Sequence, residues 1–169
     1  MLHGLDNFFI MAGTAAATMI GLLFVAITVA SGMSTSRAVY GTHAFLTPTL
    51  IRFSGVLFEC MAVLFPWPSA WPVGIILVLC GLTGLVYQIH VNLMQRKVDD
   101  ASLDWLDWTL FSVGPALGNA SMIAGAAGLI AEKSFAPYAI AGAITLLLFA
   151  GIYGAWDLTL CLARNKDKT

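Results

Sequence analysis

The sequence predicts an all-α fold: an integral membrane bundle of five transmembrane helices, with the N-terminus outside and the C-terminus in the cytoplasm. Three observations carry this. First, a chain of 169 residues that is 59% hydrophobic and 10% charged, with mean hydropathy +0.87, has too little polar surface to coat a water-soluble globule. Second, its apolar residues fall into five long runs, at about 8–31, 48–65, 72–94, 105–131 and 137–162, inside one domain covering 1–169. Third, with five spans Arg37, Arg96, Lys97, Arg164, Lys166 and Lys168 fall on one side and Lys133 alone on the other, which places the basic side in the cytoplasm.

The first run, Phe8 to Ser31, carries no formal charge, and no Lys or Arg precedes it. Lacking the basic flank of a cleavable leader, it is expected to remain as span one. Within it Gly13, Ala17 and Gly21 recur every four residues, a ridge of small side chains expected to pack against another helix. Gly32 to Leu46, with Arg37, Tyr40 and His43, reads as a loop or a short interfacial helix.

Thr47 followed by Pro48 reads as an N-cap with proline at the first helical position, so span two is expected to begin there and to stop at the prolines of PWPSAWP. Pro72 opens span three, which turns polar only in its last turns, at Gln88, His90 and Asn92. Asp104 caps span four, and Pro115 within GPALGNAS is expected to free the Phe111 carbonyl and kink that span near the membrane centre. Pro137 opens span five, which ends in the basic tail RNKDKT. Trp67, Trp71 and Tyr138 then form an outer aromatic belt and Trp105, Trp108 and Trp156 an inner one.

This topology gives each polar residue a depth. Arg52 falls about 6 Å past Pro48 and Glu59 about 16 Å past it, so Glu59 is expected near the midplane and Arg52 near the cytoplasmic edge. Gln88, His90 and Asp157 share that cytoplasmic layer, and Asn119, just after Pro115, is the expected neighbour of Glu59. Arg52 has ordinary explanations, since it can snorkel to lipid phosphates or pair with Asp157. A midplane carboxylate either takes up a proton or recruits water and a partner, and both outcomes suit proton-linked work; the alternative is a protonated glutamate hydrogen-bonded to Asn119 or to a freed carbonyl, serving only to join helices. Arg52, Gly55, Val56 and Glu59 share one helical stripe, with Gly55 leaving a gap between the charges.

The segments GTAAATMIGLLFVAITVAS and LDWLDW together resemble a loosely defined group of small, uncharacterised bacterial membrane proteins. That resemblance implies a multi-pass protein of the bacterial inner membrane; it implies no activity and no site residues.

Several function classes are excluded or disfavoured. A net charge of −1 provides no basic field for nucleic acid. Cys60, Cys80 and Cys161 lie in apolar runs without metal spacing and read as free, packed thiols, so no metal and no cofactor is expected. There is no usable serine and histidine pair, acidic metal box, glycine-rich phosphate loop or CxxC, which argues against an enzyme. His90 with His43 as haem ligands is disfavoured because nothing fixes the rings opposite each other. What remains is an oligomeric channel or small transporter with a polar path around Glu59, or else a non-enzymatic accessory or scaffold subunit of a larger membrane complex. The expected partners are the lipid bilayer and further copies or other membrane subunits.

Overall fold

The computed structural model describes the backbone of residues 4–31, 36–95 and 112–166, and the side chains of 4–28, 47–93 and 112–156. Among these residues there are five helices and no strand: α1 (Asp6–Ser31), α2 (Ser36–Leu64), α3 (Ala70–Gln95), α4 (Gly114–Ile130) and α5 (Ala136–Lys166). Four contain a segment long and apolar enough to cross a membrane, namely Asp6–Thr28, Thr47–Leu64, Ala70–Leu93 and Ala136–Trp156. Helix α4 has 17 described residues, about 25 Å. The expected start of span four, 105–111, lies outside the described residues, and with it Asp104, Trp105 and Trp108.

One expectation is overturned. Thr47–Pro48 does not begin a helix: α2 starts at Ser36 and carries Pro48 in its interior. Proline's fixed φ suits a helix, and the cost lies in the missing donor and the crowding of the carbonyl four residues back. Helices packed in a membrane bundle tolerate that cost because neighbours and local adjustments re-satisfy the backbone. Pro48 is buried, and Thr49 beside it is fully buried, so packing surrounds the site. The other prolines behave as read: Pro72 and Pro137 lie in the first turns of α3 and α5. Pro115 also sits in a first turn, that of α4, after a wider π-type turn at Ser112–Val113. Phe111, the residue whose carbonyl a kink would free, is outside the described residues.

The closest helix pairs are α4 with α5, α3 with α4, α1 with α2 and α2 with α5; α2 meets α3 more lightly. Glycine explains the tight pairs. On α3, Gly74, Gly81 and Gly84 face α4, where a Cβ on each would press on Ile130, Ile123 and Asn119. On α4, Gly118, Gly125 and Gly128 face α5 in the same way, against Leu147, Ile140 and Phe135. Both sets are spaced by seven and then three residues, which keeps them on one stripe of a helix. In lipid, where burial of apolar surface gives no drive to association, such close approach is what holds helices together. The core between them is formed by Phe9, Phe53, Leu77, Met122, Leu129 and Ile144, all nearly inaccessible.

Tight connections fix the hairpins. Trp67 donates its indole N–H to the Ala62 carbonyl at 2.7 Å, closing the end of α2 before α3 begins. After α4, Glu132 adopts φ 53°, and the Lys133 and Glu132 amides return to the Gly128 and Leu129 carbonyls at 2.8 and 3.1 Å. This is a Schellman ending with glutamate in the left-handed position that glycine usually takes. Outward-facing residues include Leu22, Phe24, Phe58, Met61, Val86 and Phe149, an apolar surface compatible with a lipid environment. Trp71, Tyr138 and Trp156 are also exposed, whereas Trp67 is half-buried.

Candidate functional site: a buried polar chain and a lone carboxylate

Helix α2 brings two charges into the bundle, and each leaves one buried atom, Arg52 Nη1 and Glu59 Oε2, without a hydrogen-bond partner among the described residues, although Arg52 is bonded through Nη2. Arg52 is 9% exposed and directs Nη2 to Gln88 Oε1 of α3 at 2.9 Å. Gln88 Nε2 donates in turn to Asn92 Oδ1, one helical turn further on, at 3.0 Å. Asn92 Nδ2 then donates to Ser112 Oγ, next to the start of α4, at 2.6 Å. Each group gives a hydrogen to the next in one direction, beginning at a cation, an arrangement in which each bond polarises its successor. The chain joins α2, α3 and the α4 entrance at one level. The Tyr87 side chain lies within electrostatic range of Arg52. Lipid-phosphate snorkelling of Arg52 is therefore corrected: its head is turned into the bundle, where an amide carbonyl receives it.

Glu59 is 3% exposed, and its Oε2 has no hydrogen-bond partner among the described residues. Seven residues separate it from Arg52, about 10.5 Å along the helix axis. Between them, a Cβ added to Gly55 would meet no atom within 4 Å, so the stripe joining the two charges has open room at its centre. Among the described residues, the ionisable groups within electrostatic range of Glu59 are thiols, Cys60 on its own helix and Cys80 on α3. Cys60 packs against Gly13 of α1.

Asn119, the expected neighbour of Glu59, is engaged elsewhere. It is buried on α4, where its Nδ2 donates to the Pro115 carbonyl at 2.8 Å and its amide packs against Gly84 of α3. Proline in the first turn and an asparagine four residues later thus form one closed local unit. His90 points outward on α3 and does not join Gln88 and Asn92, although it lies between them in sequence. Asp157 is on α5, but its side chain, like those of His43 and Cys161, lies outside the described residues. Of the small-residue ridge on α1, Gly13 is buried against α2, whereas Ala17 and Gly21 are exposed. No group of three or more His, Cys, Asp or Glu residues placed to hold a metal occurs among the described residues.

Sequence reasoning marked Arg52, Gln88 and Asn92 but not their connection, and it passed over Ser112. A single serine in an apolar run carries no signal of its own, and only the packing of α3 on α4 reveals its role. Comparison with known protein families, with curated proteins and with solved structures finds no match to this chain.

Proposed function

We propose that this chain is a small polytopic protein of the bacterial inner membrane, with its N-terminus outside and its C-terminus in the cytoplasm. In this reading it acts as an oligomeric channel or transporter whose polar path passes Glu59. The observation that carries the proposal is the buried Glu59 carboxylate, whose Oε2 has no hydrogen-bond partner among the described residues, with Gly55 unpacked on the stripe leading to Arg52. A fold gains nothing from an unsatisfied polar atom, and an ionisable group held inside a membrane at such a cost is by default a working group.

The longer α2 shifts the expected depths. With Pro48 in the helix interior, depth is better counted from the Leu64 end. Hydrocarbon about 30 Å thick, starting at Leu64, has its centre about 15 Å along the axis. Gly55 then lies about 1.5 Å from the centre, Arg52 about 3 Å beyond it and Glu59 about 7.5 Å before it. The two charges straddle the midplane, and the open room lies between them. One bundle of five helices encloses little space, so association of copies completes the path.

The test is reconstitution in liposomes. Wild-type protein is expected to pass ions or protons above the empty-liposome background, and Glu59→Gln to remove most of that flux. A Glu59→Gln variant that conducts like wild type, or wild-type protein that conducts nothing, overturns the proposal. One observation favours the alternative, an accessory subunit: α1 leaves Thr14, Ala17, Thr18 and Gly21 exposed, a face of small residues suited to a neighbouring helix. Stoichiometric retention of another membrane protein in mild detergent, with no flux from the isolated chain, would establish that reading instead.

A further inference from the structure

Resting on the permeation reading, we infer that the species taken up at Glu59 is the proton and that the site holds no metal cation. A sodium or potassium ion entering a dry site must replace its hydration shell with several oxygen donors, as hard cations do wherever proteins bind them. A proton needs none of this, because it forms a covalent O–H bond to one carboxylate oxygen and leaves the group neutral.

Within one chain, the buried side chains of the described residues provide no such oxygen cage. Six polar or charged residues are buried: Thr49, Arg52, Glu59, Gln88, Ser112 and Asn119. Gln88 and Ser112 belong to the chain that begins at Arg52, and Asn119 is bonded to Pro115. Thr49 is ten residues from Glu59, about 15 Å along the helix. That leaves one carboxylate, with Cys60 and Cys80 as the titratable groups around it, and thiols are soft ligands that alkali and alkaline-earth cations do not select. Arg52 is the nearest charged group along the stripe, seven residues away. Gly55, between the two, is partly exposed and a Cβ there would meet no atom within 4 Å, so packing does not close the stripe at that point.

The site can be read without transport. Dicyclohexylcarbodiimide adds to protonated carboxyl groups in apolar surroundings: the acid proton moves to a carbodiimide nitrogen, the carboxylate oxygen bonds to the central carbon, and rearrangement leaves a stable N-acylurea. Wild-type protein in vesicles is expected to gain one such adduct, mapped by mass spectrometry to Glu59 and absent from Glu59→Gln. Labelling is expected to slow as pH rises and to change less than twofold with 100-fold more sodium, potassium or calcium. Protection by any of these cations, or failure of Glu59 to label at acidic pH, overturns the inference. In proteoliposomes, Glu59-dependent proton flux without sodium or potassium flux agrees with it. Glu59-dependent sodium or potassium flux overturns it and leaves the permeation reading standing. Absence of all flux removes the permeation reading, while cation-insensitive labelling would still identify Glu59 as a proton-binding site.

Discussion

Replacing Glu59 with leucine should make the protein more stable. The side chain is 3% exposed and Oε2 lacks a partner, so the native fold carries the desolvation penalty of one polar oxygen. That penalty is about 1–3 kcal/mol. Leucine adds no large transfer gain, because lipid is as apolar as the bundle interior, so the expected stabilisation is the removed penalty alone, about 1–3 kcal/mol. Steric cost is small: leucine is close to glutamate in volume, and the neighbouring position at Gly55 has free room. Reversible unfolding in mixed micelles, followed by helical circular dichroism, measures the difference directly. Destabilisation by more than about 1 kcal/mol would show that the carboxylate is bonded in the native state, and would refute the description of Glu59 as a cost the fold bears.

Further outcomes follow from the rest of the bundle. A double-mutant cycle between Arg52→Met and Gln88→Leu should give a coupling of about 1–1.7 kcal/mol, the upper part of the range for interhelical hydrogen bonds in membranes, because the donor is charged and both groups are buried; a value near zero in the same unfolding assay would remove the Arg52–Gln88 bond. Gly125→Val should cost about 2–3 kcal/mol by overpacking, since even a Cβ there comes within 3.0 Å of the Ile140 backbone nitrogen, and thermal inactivation in detergent would report it. Glu132→Gly should stabilise by about 1 kcal/mol by relieving a left-handed backbone, read as a higher melting temperature. On α1, Gly13→Val should destabilise the monomer by pressing on Cys60, whereas Gly21→Val should leave it unchanged, since nothing lies within 4 Å of that position; the two variants compared by chemical unfolding separate the faces.

Much of the helical frame was legible because apolar run length and proline are strong signals. Pro72 and Pro137 lie in first turns as their sequence positions imply, and α1 and α3 match the expected runs within two residues at each end. Pro48 shows the limit of that reasoning. The motif Thr-Pro suits a helix start equally well in either setting, and only tertiary packing around a buried Pro48 and Thr49 decides for the interior. The glycine seams were illegible for a related reason. Gly13, Ala17 and Gly21 repeat every four residues and draw the eye, yet the tight seams use a spacing of seven and three on α3 and α4. A stripe can be read from one helix alone, but which stripe meets a partner depends on the other four helices.

The candidate site was legible to the same degree: its residues, but not their pairing. Depth alone suggested that Arg52 was interfacial and that Asn119 faced Glu59. The second inference treated each helix as a straight ruler anchored at a proline, and Asn119 is instead bonded to the Pro115 carbonyl and packed on Gly84. Once Arg52 is placed deep in the bundle its cost rises, and the chain through Gln88, Asn92 and Ser112 becomes the reason it can be there. The same helix offers Glu59 no comparable chain. Opposite stability changes are therefore expected when the two charges are removed, a loss at Arg52 and a gain at Glu59. That difference in sign separates a charge that helps hold the bundle together from one the bundle carries for another purpose.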